Sequence, residues 1–474
     1  MTYLSRRLFL GGATALAAYP MLTQSAASAS SAAAENPLVR QRADAQIFRH
    51  DGSYYMAASV PEYDRVIIRR SPTLAGLGTA EETVVWRRPA SGRMAGYIWA
   101  PELHLLDGRW HIYFAAGDGD DKFRIRTYVL RAAGSDPVTS KWELLGKLET
   151  PWDTFTLDST IFEHRGVRYI SWAQHEPGFE NNTNIYLAPL ATPTTLASAP
   201  ARLTAPTLEW EIQGFKVNEG PAFLARHGRL FMTYSASATD DRYCLGLLTA
   251  ADDADIMNPA AWTKSPQPVF VSSPATSVYG PGHNSFTVDE QGHDLLVYHG
   301  RDYQKIVGDP LFDPNRHTRI QRLYFRADGT PDFGIPVGNG ALPDRWSPLD
   351  SPNQFVRVSG ERVTVGTGPV ATTQFRQVPS RLDPNQISLV PIESPTSKLV
   401  VGSDSTVTVA RDDGSTAFAQ RSSFIKQPGL ADAKGVSFAS SASPASYLRN
   451  NNGALRLGGV NSAADRASAT FVSS

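Results

Sequence analysis

Residues 99–114 read Trp-Ala-Pro-Glu-Leu-His-Leu-Leu-Asp-Gly-Arg-Trp-His-Ile-Tyr-Phe, and they show the local fold most clearly. Asp107 and Gly108 supply the positive-φ positions that a two-residue hairpin turn requires. Across residues 110–114, successive side chains suit opposite faces of a pleated strand, whereas a helix would repeat its apolar residues every three to four positions. The stretch therefore predicts two antiparallel strands joined by a tight turn.

The same design occurs five times in residues 35–346. Each unit opens on a distinctive residue, passes through a glycine turn and continues into alternating aromatic and aliphatic residues. The opening residues are Asp44, Ala100, Asp158, Glu219 and His283, at intervals of 56, 58, 61 and 64 residues. Such a repeat predicts an all-β domain with five blades, a five-bladed β-propeller. An irregular β-sandwich with coincidental glycine spacing is the alternative.

Equivalent positions of a radial repeat lie at one height around the axis, so Asp44, Asp158, Glu219 and His283 are expected to converge at one end of the channel. Three carboxyl groups and an imidazole at such a place indicate a site. Each residue also has a structural alternative. Asp44 could cap a turn, Asp158 could form an Asx-turn, Glu219 could belong to a buried ion pair, and His283 could be a core histidine.

A second repeat begins after Trp346, where no further His or Trp occurs. Three units each start with Ser-Pro, enter an apolar strand and close near a phenylalanine, namely Phe375, Phe424 and Phe471. Three such units in residues 347–474 predict a β-trefoil.

The motifs of the first domain together resemble glycoside hydrolase family 43 over residues 36–345. They are Arg42-Ala43-Asp44, Trp99-Ala100-Pro101-Glu102, Leu157-Asp158-Ser159-Thr160, Val217-Asn218-Glu219-Gly220-Pro221 and Gly280-Pro281-Gly282-His283-Asn284. Residues 58–64 resemble the branch that contains exo-acting α-L-arabinofuranosidases. The resemblance implies hydrolysis with inversion, in which one carboxylate activates water and a second carboxylic acid protonates the leaving oxygen.

The resemblance also implies the roles of individual residues. Asp44 is expected to be the general base, Glu219 the general acid, and Asp158 the group that orients the acid and raises its pKa.

For the substrate, Arg319 is expected to approach the sugar, with Arg316 as its competitor. Trp99 would stack on the furanose and Glu102 would hydrogen-bond to it, although Trp99 could equally be packing between blades. No cofactor is expected to be required. In related enzymes the residue matching His283 lies beside an axial ion, often calcium, so a structural, non-catalytic calcium is one expectation and a water shell around His283 is the other.

The C-terminal domain resembles carbohydrate-binding module family 42, whose pockets hold arabinofuranose. The positions where that family usually carries a histidine hold Val358, Gly402 and Asn450, and the positions of its acidic partners hold Thr372, Arg421 and Ser468. We therefore predict that these sugar pockets are mostly degenerate.

Residues 1–34 resemble a twin-arginine signal peptide, with Arg6 and Arg7 before an apolar run and a small-residue cleavage site. This predicts a secreted, extracellular protein. With 45 Lys and Arg against 46 Asp and Glu, the net charge of -1 argues against a nucleic-acid partner. The single cysteine, Cys244, excludes an intramolecular disulfide. We expect a monomer without a membrane partner.

The expected function is an inverting exo-glycosidase that releases terminal α-L-arabinofuranose from plant cell-wall arabinan or arabinose-containing oligosaccharides. A β-xylosidase or an endo-arabinanase of the same family is the alternative. From another class, the alternative is a carbohydrate-binding propeller that has lost catalysis.

Overall fold

Antiparallel strands of residues 43–322 form five consecutive sheets, which are the blades of the predicted propeller. The computed structural model describes residues 34–474, and the predicted signal peptide lies almost wholly outside them. The first two blades have four strands each: β2 Ala43–His50, β3 Ser53–Ser59, β4 Arg65–Ser71 and β5 Glu82–Arg87, then β6 Ile98–Leu106, β7 Arg109–Ala116, β8 Arg126–Ala132 and β9 Trp142–Lys147. The five-bladed, all-β prediction is confirmed.

The remaining blades vary the design. Blade 3 has five strands: β10 Thr156–His164, β11 Val167–Gln174, β12 Asn184–Thr192, β13 Thr195–Leu196 and β14 Ala201–Thr204. Blade 4 has four: β15 Asn218–Arg226, β16 Arg229–Ala236, β17 Cys244–Ala251 and β18 Thr263–Lys264. Blade 5 has three: β19 Tyr279–Val288, β20 Asp294–Arg301 and β21 His317–Arg322.

The N-terminal segment closes the ring against blade 5. Strand β1, Glu35–Asn36, pairs with β24, Gly340–Ala341, and Val39 forms a bridge with Thr318 of β21. The Asn36 side chain donates to the carbonyl oxygen of Ile320 at 2.8 Å and accepts from its backbone N–H at 2.9 Å. The segment therefore takes the place of a fourth strand in blade 5. In this way the first and last segments of the propeller pair with each other and close the ring.

Apolar clusters at the blade interfaces stabilise the ring. Ile47 of blade 1 packs with Val297 of blade 5, Ile112 of blade 2 with Val66 of blade 1, and the same pattern continues around the ring. These residues are buried because alternate side chains of each twisted sheet face the neighbouring sheet.

The innermost strand of every blade contains a β-bulge near its start. The pairing register shifts at this point in all five blades. One residue at each bulge has a positive φ of 43° to 55°: Asp44, Ala100, Asp158, Gly220 and His283. Four of the five are not glycine, and such strain in non-glycine residues clusters at functional sites.

The C-terminal domain has three units of four strands, and β25, Asp344–Pro348, pairs with both β28 and β36 to close it. Its strands are β26 Phe355–Ser359, β27 Arg362–Gly366, β28 Gln374–Pro379, β29 Ile387–Pro391, β30 Ser397–Val401, β31 Val407–Arg411, β32 Phe424–Pro428, β33 Val436–Ser440, β34 Ser446–Asn451, β35 Ala454–Gly459 and β36 Phe471–Ser473. They enclose one apolar core that includes Trp346, Phe375, Phe438 and Phe471. The trefoil prediction agrees with this arrangement.

Short elements complete the structure. The α-helices are α1 Thr416–Arg421 and α2 Ala463–Ser468, and β22 Tyr324–Phe325 pairs with β23 Pro331–Asp332. Single 3₁₀ turns cover Ala75–Gly78, Glu209–Glu211, Pro259–Ala261, Pro310–Phe312 and Val370–Thr373. None of the helices in residues 34–474 has the length and apolar character needed to span a bilayer.

Candidate active site

All five blades line one cavity of about 480 Å³ around the axis of the propeller. The charged side chains in its wall are Asp44, Asp158, Glu219, His283, Asp309 and Arg316. The structure therefore brings together the three carboxyl groups and the imidazole that open units one, three, four and five.

Blade 4 departs from the repeat by one residue. Its left-handed position is Gly220, and Glu219 lies just before it. A Cβ on Gly220 would lie 3.2 Å from the His283 ring, so the imidazole occupies the space that a side chain would need. The acidic side chain of this blade comes instead from the preceding residue, Glu219, which lines the same cavity.

Asp44 is surrounded by donors. Its Oδ2 accepts a hydrogen bond from Ser59 Oγ at 2.6 Å, and its Oδ1 lies 3.2 Å from His299 Nδ1, 3.4 Å from His283 Nδ1 and 3.4 Å from Arg316 Nη1. Burial alone would raise the pKa of Asp44, but the charges of Arg316 and His283 and the hydrogen bond with His299 hold it well below its usual range. Asp44 is therefore a carboxylate at neutral pH.

Glu219 has the opposite electrostatic balance. Burial raises its pKa, and the negative charge of Asp44 raises it further, although the Tyr243 hydrogen bond and His283 work against this shift. The Tyr243 hydroxyl donates to Glu219 Oε1 at 2.7 Å and so fixes the carboxyl group in one orientation. The second oxygen of Glu219 remains available to carry a proton towards the cavity.

Asp158 joins the acid's strand to the centre of the site. Its Oδ2 accepts the backbone N–H of Gly220 at 3.0 Å and lies 3.8 Å from His283 Nδ1. Burial raises the pKa of Asp158 to about 7, and the neighbouring Glu219 and Asp44 charges contribute to this rise. Glu219 and Asp158 are thus two buried carboxyl groups that resist ionising together.

His283 lies between two of these carboxyl groups, 3.4 Å from Asp44 Oδ1 and 3.8 Å from Asp158 Oδ2. Burial would lower its pKa, but Asp158, Asp44 and Glu219 raise it above the usual value. No three His, Cys, Asp or Glu side chains in residues 34–474 are arranged to ligate a metal ion. An ion held beside His283 by water molecules would not need such a cluster, so the calcium near the axis stays a prediction.

The two candidate sugar-binding residues of blade 2, Trp99 and Glu102, lie in different places. Trp99 lines the cavity, and its indole nitrogen is buried with no hydrogen-bond partner among the described residues. Glu102 is absent from the cavity wall and instead lies 3.0 Å from His104 Nε2. The expectation that Glu102 binds the sugar is corrected, because Glu102 is buried beside His104 and does not reach the cavity wall.

The choice of Arg319 is also corrected. Arg319 is fully buried and hydrogen-bonds to Asp302 and to Asn339 Oδ1, away from the cavity. In the sheet, Arg319 of β21 is paired with Tyr298 of β20, whose ring lies in the apolar cluster between blades 4 and 5. Arg316 is three residues earlier, and an odd separation along extended chain places it on the opposite face. Arg316 therefore lines the cavity beside Asp44.

Sequence reasoning missed Tyr243 and His299, which stack with their rings 5.6 Å apart behind the carboxyl groups. A signal existed for His299. The residues of the second strands that face the residue just before each bulge are Ser59, Ala115, Ala173, Ser235 and His299. His299 is the one large residue among four small ones at this repeat position, and that departure from the repeat could have marked it as a candidate site residue. Burial lowers the pKa of His299 to about 4, so its ring is neutral near pH 7.

Comparisons with known proteins identify the families of both domains. Residues 34–331 match the family described as "Glycosyl hydrolases family 43", and residues 346–473 match "Alpha-L-arabinofuranosidase B (ABFB) domain". The chain is 47% identical, over 99% of both sequences, to "Extracellular exo-alpha-(1->5)-L-arabinofuranosidase" of Streptomyces avermitilis. It is 48% identical to "Alpha-L-arabinofuranosidase 43" of Humicola insolens, over 90% of this chain and 92% of that one.

Solved structures resemble the first domain. The crystal structure of α-L-arabinofuranosidase from Lactobacillus brevis is 50% identical with a TM-score of 0.63, covering 64% of this chain and 97% of that chain. A five-bladed ring with carboxyl groups on its axis, and a family match over most of the chain, lead to one assignment. The chain belongs to family 43 of the glycosyl hydrolases and carries a C-terminal ABFB domain.

Proposed function

We propose that this protein is an extracellular, inverting exo-glycosidase that removes terminal α-L-arabinofuranose from arabinan and arabino-oligosaccharides. One observation supports this most strongly: a single cavity holds an ionised carboxylate, Asp44, and a partly buried carboxyl group with a raised pKa, Glu219. The names of the full-length relatives indicate the sugar.

The reaction needs one proton removed and one proton supplied. Asp44 takes a proton from a water molecule, whose oxygen attacks the anomeric carbon from the face opposite the leaving group. Glu219 gives its proton to the glycosidic oxygen as that bond breaks. The configuration inverts, Asp44 ends protonated and Glu219 ends ionised, and exchange with solvent restores both. Arg316 keeps the base charged, and Tyr243 keeps the acid oriented.

A long loop supports exo action. Residues 302–316 run from blade 5 to the far wall of the cavity, where the Tyr63 hydroxyl donates to the Leu311 carbonyl oxygen and Phe312 lies 5.7 Å from the Tyr97 ring. Arg301, almost fully buried, donates to Pro310 O at 2.7 Å and to Thr239 O at 2.8 Å, which fixes the loop to blade 4. A wall on this side suits a chain end rather than a continuous chain.

The test follows both products of α-(1→5)-L-arabinotriose by NMR. We expect arabinose and arabinobiose, with the first-formed arabinose in the β configuration. Retention of the α configuration would contradict the roles of Asp44 and Glu219. Internal cleavage of long debranched arabinan, or release of xylose from xylobiose at a higher kcat/KM, would favour the alternatives.

Two further proposals concern the protein's context. Relatives named extracellular support secretion, and we propose the twin-arginine route on the basis of Arg6 and Arg7. Replacing both arginines by lysine should keep the protein inside the cell, whereas unchanged export would contradict this route. We also propose a monomer that needs no cofactor, which light scattering and assay in a chelator would test.

A further inference from the structure

Two serines occupy the same position of the repeat, on the second strands of blades 1 and 4. Ser59 faces Ala43 across its blade, and Ser235 faces Glu219. The equivalent residues of blades 2 and 3 are Ala115 and Ala173, so the fold itself does not require a hydroxyl group here. Both serines are buried, and neither lines the cavity. Their hydroxyls therefore serve neither the repeat nor direct contact with a sugar.

Each of the two hydroxyls joins its blade to the next one. The backbone N–H of Ala100 donates to Ser59 Oγ at 2.7 Å, and the backbone N–H of His283 donates to Ser235 Oγ at 2.7 Å. Both donors are left-handed residues at the bulge of the following blade. A backbone N–H can only donate, and a serine hydroxyl carries a single hydrogen. Each serine therefore keeps its own O–H for one further acceptor.

The further acceptor differs between the two blades. Ser59 donates directly to the base, with its Oγ 2.6 Å from Asp44 Oδ2. Ser235 instead reaches Tyr243: burial raises the pKa of that phenol well above its usual value, and the hydrogen bond from Ser235 works against this rise. The two side chains meet over Gly282, where a Cβ would overlap the Tyr243 ring and lie 3.3 Å from Ser235 Oγ. Gly282 thus leaves the space that they share.

This series of hydrogen bonds ends on the acid. Tyr243 donates its hydroxyl hydrogen to Glu219 Oε1 at 2.7 Å, so that oxygen accepts, and the proton of the carboxyl group lies on the other one. If the phenol turned its hydrogen towards Ser235, Oε1 would have to carry the proton of the acid instead. The hydrogen bond that Ser235 donates to the phenol opposes this reversal, because their two hydrogens would then point at each other. The fixed N–H of His283 therefore sets the direction of the whole series.

We propose that Ser235 is a positioning residue for the acid: it fixes the direction of the hydrogen bonds that run from the His283 backbone to Glu219, and so keeps the proton of the acid on the oxygen that faces the cavity. This inference rests on the proposed function and deepens it. It concerns only the proton that is supplied to the leaving group, because the equivalent serine of blade 1 contacts the base. A substrate whose leaving group needs that proton should depend on Ser235, and a substrate whose leaving group does not need it should not.

The experiment compares two substrates with the full-length protein. They are α-(1→5)-L-arabinobiose, whose leaving sugar needs a proton, and p-nitrophenyl α-L-arabinofuranoside, whose leaving group needs little protonation. We expect Ser235→Ala to lower kcat/KM for arabinobiose by about three- to tenfold, the effect of one neutral hydrogen bond, and to keep kcat/KM for the nitrophenyl glycoside within about twofold of the wild type. Alanine at the equivalent positions of blades 2 and 3 shows that the strand accommodates this substitution.

Two further serines provide the comparison. Ser59→Ala should lower kcat/KM for both substrates by similar factors, because the base must activate water for either one. Ser171→Ala is the matched control and should change neither value. Ser171 is an equally buried serine on the second strand of blade 3, and its hydroxyl donates to the Tyr186 carbonyl oxygen at 2.8 Å, away from the cavity wall.

A double variant separates positioning from packing. In a Tyr243→Phe background the series to Glu219 is already broken, so adding Ser235→Ala should cause no further loss of kcat/KM on arabinobiose. The same loss in both backgrounds, an equal loss on both substrates, or no loss on either would overturn the proposal while the wild-type enzyme still cleaves arabinofuranosides. If the wild-type enzyme is inert on both substrates, the proposed function fails and this inference fails with it.

Discussion

The two domains both repeat one β unit around an axis, yet they fill that axis with opposite chemistry. In the propeller, Asp44, Asp158, Glu219 and His283 converge at the centre, where Glu219 is partly buried and the other three are buried. In the trefoil, the centre is an apolar cluster around Phe438. Burying charges opposes folding unless they are well paired, whereas burying apolar surface contributes about 25 cal/mol per Å². The propeller is therefore held together at its blade interfaces, which leaves its centre free for chemistry, and the trefoil is held together at its centre.

The largest expected effect comes from replacing the acidic side chains at the propeller's centre by amides. Asp44→Asn and Glu219→Gln should each lower kcat on arabinobiose by about 10²–10⁴-fold, since each removes one proton transfer. On p-nitrophenyl α-L-arabinofuranoside, whose leaving group needs little protonation, Glu219→Gln should retain more activity than Asp44→Asn. Glu219→Gln should melt near the wild type, because a neutral amide replaces a carboxyl group whose pKa is raised. Asp44→Asn should melt lower, because it leaves Arg316 and His283 without their anionic partner. A large loss of melting temperature in both would make these residues structural.

The corresponding test of the trefoil is a substitution that creates a cavity in its apolar centre. Phe438→Ala should lower the free energy of unfolding by about 3–5 kcal/mol, because the ring is buried against Trp346 and Phe471. The kcat of the folded enzyme should stay near the wild-type value. Leu382→Ala is the control, since this trefoil residue is exposed and should change stability by less than about 0.5 kcal/mol. Equal stability of the two variants would contradict the apolar centre as the source of trefoil stability.

Sequence reasoning found what the repeat itself encodes. Asp44 and Asp158 occupy the left-handed bulge of their blades, so the spacing of the units leads directly to them. The repeat also points to Glu219, which lies one residue before the left-handed position of blade 4, because an offset of one residue barely changes a repeat interval of about sixty residues. The five blades followed from the same regularity.

What escaped prediction depends on side-chain direction and on loops. Whether Arg316 or Arg319 faces the cavity depends on the face of the extended chain, which the repeat interval does not determine. Glu102 is buried against His104 and outside the cavity wall, a partner that the repeat interval does not reveal. Tyr243 comes from the segment before β17 rather than from an innermost strand, and nothing in its local sequence marks it as a partner of Glu219.

The two arginines test whether charge near the propeller axis serves catalysis or packing. Arg316→Lys should lower kcat by about tenfold, because lysine keeps the charge but cannot contact both Asp44 and the Tyr63 hydroxyl, which now accepts from Nη2 at 2.8 Å. Arg319→Lys should instead lower the melting temperature and leave the kcat of the folded enzyme unchanged. The pair of measurements is kcat at saturating substrate and thermal unfolding. The reverse assignment would restore Arg319 as the residue that approaches the sugar.

The pH dependence of stability should distinguish two carboxyl groups of the propeller's centre, Asp158 and Asp44. The folded-state pKa of Asp158 is raised to about 7, so its stabilising effect is fully present below its unfolded pKa and is lost as pH rises through about 7. Asp44 has a lowered pKa and contributes in the opposite sense, with its stabilisation lost only in strong acid. Between about pH 4 and pH 8, Asp158→Asn should therefore gain melting temperature relative to the wild type. A difference between the two proteins that does not vary with pH would contradict a buried, proton-holding Asp158.

The smallest expected effect concerns the trefoil as a binding domain. In its third unit, Arg449 is hydrogen-bonded to Asp465, and that carboxylate also accepts the Ser462 N–H at 3.0 Å as part of a helix cap. Asn450 donates to Ser351 Oγ at 3.0 Å. Groups that already have partners must give them up before they bind a sugar, which weakens any site there. Calorimetric titration of full-length Glu219→Gln with arabinotriose should therefore give one site per chain, in the propeller. A stoichiometry of two or more would show that the trefoil also binds the sugar, and its surface would then share the function that we assign to the propeller's axis alone.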